Sequence, residues 1–166
     1  YAVDGAGGAQ FAMGGAVDDL RASAARTSDR DYLVSAVDPA NPFGTLLPWP
    51  GVEGESTVRP ARRNGAMVSL HGAQLRAFVE ASGTKAATWG VHDEDAAVEL
   101  LRQLAAGRVR LTRNKRALLI EVDGISLIGG RAHGAQSAQQ GIDWGQAARA
   151  AGFLATPRGY RWPSDA

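Results

Sequence analysis

Residues 66–90 read AMVSLHGAQLRAFVEASGTKAATWG, and their period of two decides the fold. Three short runs, AMVSL, AQLRAFVEA and KAATWG, are separated by His71-Gly72 and by Ser82-Gly83-Thr84. Leu75, Ala77 and Val79 alternate with Arg76, Phe78 and Glu80, as in a strand whose two faces meet different surroundings. Apolar runs of this length, punctuated by glycine turns, predict an antiparallel meander.

Downstream, DEDAAVELLRQLAAG at 93–107 predicts a helix. Asp93, Glu94 and Asp95 suit the positive end of its dipole, Val98, Leu101, Leu104 and Ala105 share a face, and Gly107 stands where a terminating glycine belongs. RALLIEVDGISLI at 116–128 predicts two strands across an Asp123-Gly124 hairpin turn. A short helix over 143–151 ends at Gly152, and FLATPRGYRW at 153–162 forms a closing strand pair turning near Pro157, Arg158 and Gly159.

Upstream, Val17, Leu20 and Ala24 lie along one helical face behind Asp18 and Asp19, after a short apolar piece at 10–13 that suits a strand end. DYLVSAV at 31–37 reads as a strand, and 52–64, with Pro60, as an exposed loop. The expected class is α+β and mainly antiparallel β: a small β-barrel or curved sheet with one main helix.

Between strand and loop lies DPANPFGTLLPWP at 38–50, four prolines among thirteen residues. Each proline fixes φ and removes a donor, and each residue before one is pushed towards extended geometry. Flexible linkers are poor in large apolar side chains, so this is a rigid connector pinned to a core by Phe43, Leu46 and Trp49. Trp49 has two readings, a platform for an unpaired base or a packing wedge between prolines, and the wedge is preferred.

The length of 166 residues suits one domain, or a domain plus part of a neighbour. The chain opens at Tyr1, without methionine, in sequence that reads as structured, which predicts a piece of a longer polypeptide. No apolar run is long enough to cross a bilayer, and no signal-peptide pattern is present. Zero cysteines exclude disulfides and thiolate metal sites and fit a cytoplasmic location. His71, His92 and His133 share no metal-ligand spacing, so no metal and no cofactor are expected.

The net charge of +1 hides an asymmetry: residues 1–100 carry 8 Lys and Arg against 13 Asp and Glu, and 101–166 carry 10 against 4. RVRLTRNKR at 108–116 supplies Arg108, Arg110, Arg113, Lys115 and Arg116. Clustered charge of this kind marks a polyanion partner, or else a solvated strand edge protected from pairing. As an extended strand it would aim Arg108 and Arg110 at one face and Arg113 and Lys115 at the other. Arg158 and Arg161, beside Tyr160 and Trp162, complete the candidate nucleic-acid-binding set.

Catalytic chemistry finds little footing. Asp93, Glu94 and Asp95 are explained by the helix start, and Glu80 and Glu99 read as solvated. His71, His92, Ser56, Ser69 and Ser137 sit in no nucleophile motif, and no catalytic residue is assigned. There is no GxxxxGK[ST] loop, and GAGG at 5–8 reads as an ordinary loop.

Three stretches, GGAQFAMGGAVDDLRA at 7–22, DPANPFGTLLPWP at 38–50 and AGFLATPRGYRW at 151–162, carry a family resemblance. In this order and spacing the chain resembles the C-terminal end of the large helicase-related (Lhr) family of bacterial ATP-dependent helicases. It departs at Met13-Gly14, where the family has Leu-Pro, and over 129–141. The resemblance implies a parent with two RecA-like motor domains and further winged-helix and β-barrel modules, unwinding DNA or RNA–DNA duplexes in DNA repair. It implies for this chain the end of a preceding winged-helix-like element over 1–30 and a mainly β domain over 31–166.

The first expectation is therefore a non-catalytic accessory module of such a helicase, binding single-stranded DNA or RNA–DNA hybrid. It would contact the upstream domains of its parent and other copies of itself. The second is a part of a region similar to winged-helix DNA glycosylases, which need an activated water beside a flipped base. The third is a purely structural or oligomerisation cap.

Overall fold

The alternation in 66–90 divides its side chains between two cores. Met67, Ala77, Val79 and Ala86 are buried in one; Val68, Phe78 and Ala87, the residues between them, are buried in the other. Burying a Val or Phe side chain contributes about 1.5–3 kcal/mol, so both faces hold the sheet in register. The computed structural model describes residues 11, 13–25, 30–52, 56–111, 117–128 and 141–163.

In chain order the elements are α1 (Ala16–Ala25), β1 (Asp31–Ser35), β2 (Met67–His71), β3 (Gln74–Val79), β4 (Lys85–Thr88) and α2 (Glu94–Leu111). There follow β5 (Leu118–Leu119), β6 (Glu121–Val122), β7 (Ile125–Ser126), α3 (Trp144–Ala150), β8 (Leu154–Thr156) and β9 (Gly159–Arg161). One sheet runs β1-β2-β3-β4-β6-β7 and a smaller one β5-β9-β8. Every pairing is antiparallel except that of β4 with β6. The chain is thus α+β with a mostly antiparallel sheet. Of the expected strand end at 10–13, Phe11 and Met13 lie outside any strand, and positions 10 and 12 lie outside the described residues.

The expected barrel is not what forms: both sheets are open among the described residues. The cause lies in 116–128, read as one strand before the hairpin. Leu118 and Leu119 pair with β9, and after Ile120 the chain crosses to lie beside β4. The run that would have continued the sheet is split between two sheets. The Asp123-Gly124 turn forms as expected, with φ of 52° and 83°. The Asp123 carboxylate also accepts hydrogen bonds from Thr88 N (2.7 Å) and Thr88 Oγ1 (2.5 Å), closing the end of the parallel pair.

The main helix runs four residues past the expected stop. Asp93 caps it, accepting from Ala96 N at 2.7 Å. Gly107 does not terminate it; Leu33 of β1 occupies the space where a Cβ would stand. The glycine serves close approach of helix to sheet, and the helix continues through Arg108 to Leu111. Ala97, Leu101, Leu104 and Arg108 follow 4-3-4 spacing along one buried stripe. At the end of the chain, Asp143 caps α3 by accepting from Gln146 N at 2.8 Å.

The proline connector covers the opposite face of the large sheet. Phe43 is buried, Trp49 is half-buried, and Leu46 is 66 % exposed, so Leu46 is not an anchor. A turn over 44–46 carries Leu46 outward and packs Leu47 inward in its place. Trp49 stacks on Phe43 (6.0 Å between centroids, 26°) and meets Phe78 edge-on at 5.5 Å, which is the wedge geometry. Buried Asn41 ties the connector: its amide donates to Ala36 O (2.9 Å) and its Oδ1 accepts from Phe43 N (3.1 Å). Arg62 donates to the carbonyls of Val37, Asp38 and Asn41 at 2.7–3.1 Å.

Candidate nucleic-acid interface

Of the seven basic residues singled out by the sequence, the three with described side chains part ways: Arg108 is buried, and Arg158 and Arg161 are exposed. Arg108 is 3 % exposed, an interior residue of α2 and not part of an extended strand. Its guanidinium lies over the Trp162 ring, 4.8 Å from the centroid, and fills the space beside Gly83 where a Cβ would stand. Trp162 in turn donates from its indole nitrogen to Gly83 O at 3.0 Å. Helix, tail and the β3–β4 turn meet in this buried contact, and desolvation lowers the Arg108 pKa. Its position is that of a structural cation.

Arg110 continues the helix, but its side chain, with Arg113, Lys115 and Arg116, lies outside the described residues. Arg158 and Arg161 are exposed on the β8–β9 hairpin. Leu118 pairs with Arg161 in the small sheet. Tyr160 and Trp162 are buried core residues and not a surface platform. Arg149 donates to the Tyr160 hydroxyl at 2.7 Å, fixing it against α3.

Four of the remaining polar candidates, His71, Ser69, Ser56 and Glu99, have structural partners. His71 pairs with Asp31 at 2.9 Å across β1 and β2. Ser69 donates to Gln103 Oε1 at 2.8 Å, Ser56 Oγ accepts from Val58 N, and Glu99 lies 3.8 Å from Arg102. Among the described residues no three His, Asp or Glu side chains are grouped to hold a metal ion, and no helix is long and apolar enough to cross a membrane.

A second basic stretch escaped the charge tally because it sits in the acidic half. From 56 to 79 there are four arginines, Arg59, Arg62, Arg63 and Arg76, and no Asp or Glu. The first three lie in the connector layer over the sheet. Arg76 is the extra residue of a β-bulge: Ser69 pairs with Ala77 and Leu70 with Leu75, leaving it between them. A count over windows of 20–25 residues, instead of over halves of the chain, finds this stretch.

These features define a small α+β segment with exposed arginine surfaces and without the phosphate loop of a nucleotide-driven motor. No family model matches the chain. It is 37% identical over 155 residues, 86% of its length, to the Lhr helicase/uracil glycosylase of Escherichia coli K12. It is 33% identical over 171 aligned residues, 97% of its length, to the Lhr helicase/probable uracil glycosylase of Mycolicibacterium smegmatis. The chain spans about 10% of the length of each of these curated relatives. It belongs to the Lhr helicase family, as a segment of the C-terminal part.

Proposed function

We propose that this chain is an accessory, nucleic-acid-binding module of an Lhr-type ATP-dependent helicase acting in DNA repair in the cytoplasm. ATP binding, hydrolysis and unwinding belong to other parts of the parent. The observation that carries this reading is similarity over most of the chain to only a tenth of two Lhr helicases. Single-stranded DNA or RNA–DNA hybrid is the partner, held by phosphate contacts from exposed arginines. Arg158 and Arg161 are the described members of the original candidate set that face solvent. Helix α1 is the end of a winged-helix-like element: Leu20 is 65 % exposed and suits burial against an upstream domain.

The test is the parent polypeptide with and without this segment. Removal should leave ATP hydrolysis measurable and weaken binding to single-stranded DNA. Unaltered DNA affinity in a folded truncation would contradict the reading.

A second reading is favoured by one observation, the glycosylase designation of both relatives. On that reading the segment helps form a base-excising region. Among the described carboxylates, Asp123 is held by Thr88 and Asp93 caps α2, so neither is offered as the activating group. Cleavage of uracil-containing oligonucleotide by the parent, lost on removal of this segment, is the outcome it requires.

A further inference from the structure

We infer that the connector layer, and not the tail hairpin, is the principal phosphate-binding surface of this segment. The inference rests on the reading that the segment binds nucleic acid, and it assigns that binding to Arg59, Arg63 and Arg76. Charge is the first ground. None of these arginines pairs with a carboxylate among the described residues; Arg59 donates to Ser56 O and Val58 O, and Arg62 to the carbonyls of Val37, Asp38 and Asn41, all of them neutral. Four positive charges therefore stand on one stretch that contains no carboxylate and whose arginines form no ion pair among the described residues, the pattern that raises anion concentration at a surface.

Continuity is the second ground. Arg62 and Trp49 flank Gly44, whose Cβ position would lie 3.2 Å from Arg62 Cγ and 2.5 Å from Trp49 Nε1. Two residues beyond Trp49, Gly51 O accepts a hydrogen bond from Trp89 Nε1 at 2.8 Å. Trp89 N in turn donates to Arg76 O at 3.0 Å, and the Arg76 guanidinium lies 3.2 Å from the Cβ position of Gly90. A row of contacts thus joins Arg62, the sequence neighbour of Arg63, at one end of the layer to Arg76 at the other. A β-bulge commonly re-aims a side chain beside a binding site, and Arg76 occupies one.

The aromatic rings decide the kind of recognition. Trp49 is engaged by Phe43 and Phe78, and Trp89 is tethered through its indole N–H. They form the floor, while the guanidiniums make the contacts. Binding is therefore to the phosphodiester backbone of a single strand, with no base preference.

The experiment is fluorescence anisotropy of the chain with a labelled oligothymidylate of roughly 20 nucleotides, across a salt series starting near ~50 mM. The Arg59→Gln/Arg63→Gln variant should bind about tenfold more weakly at the lowest salt. Its log–log salt slope should be flatter by about 1.4, two contacts at about 0.7 each. A mixed-sequence strand should give the same result. Thermal melts check folding; Arg63→Gln alone, an exposed side chain, gives about half the slope change if the double variant does not fold. Unchanged affinity and slope, with the loss appearing instead in Arg158→Gln/Arg161→Gln, would overturn the assignment and leave the binding function intact. Absence of binding by the unmodified chain would overturn both.

Discussion

Gly107→Ala places the helix–sheet junction under direct test. Inside an ordinary helix this substitution stabilises by about 0.8–1.0 kcal/mol. Here the new Cβ would overlap Leu33 Cδ2 and lie 3.0 Å from its Cγ and 3.2 Å from its Cβ. Rotating the Leu33 side chain clears the terminal methyl but leaves its Cβ in place, so β1 or α2 must shift. Overpacking of this kind costs about 1–3 kcal/mol. Net destabilisation of about 1–2 kcal/mol is expected once propensity is deducted. Urea unfolding followed by far-ultraviolet circular dichroism measures it. A Leu33→Ala background removes Cδ2 and Cγ and leaves only the 3.2 Å Cβ contact, so the same substitution should cost less there than in the unmodified chain. If Gly107→Ala stabilises the unmodified chain by about 0.8–1.0 kcal/mol, the close approach of Leu33 is wrong.

Trp49→Ala should cost about 2–3 kcal/mol, below the full range for buried tryptophan because the ring is half-buried, whereas Leu46→Ala should stay within about 0.5 kcal/mol; paired thermal melts compare them. Asn41→Leu keeps volume but strands Phe43 N–H and Ala36 O, for an expected loss of about 2–4 kcal/mol in chemical denaturation. Arg108→Ala should remove about 2–4 kcal/mol through the lost cover on Trp162 while leaving the salt slope of DNA binding unchanged. A folded Arg108→Ala protein with a flatter slope would return that residue to the interface.

The meander was legible because its period of two matches the burial it produces: each turn falls at a glycine and each face meets its own core. The caps at Asp93 and Asp143 were local, and local chemistry is what a sequence states best. The stop at Gly107 was misread because a glycine is called for both at a helix end and at a close approach, and only Leu33, 74 positions away, distinguishes them. Arg108 misled for a similar reason. Its phase on the 97-101-104-108 stripe predicts burial, but the neighbouring cations predict solvent. Phase won, because Trp162 and Gly83 converge there from distant parts of the chain. Open sheets in place of a barrel depend on a switch of partner at Ile120, which no residue pattern announces.

The most direct test of the nucleic-acid-binding account is the salt dependence of single-strand binding by the unmodified chain. Anisotropy titrations at several salt concentrations should give a straight log–log plot with a slope of about −2, three arginine contacts at about 0.7 each. Failure to bind a single strand even at the lowest salt, or a slope indistinguishable from zero, would contradict it.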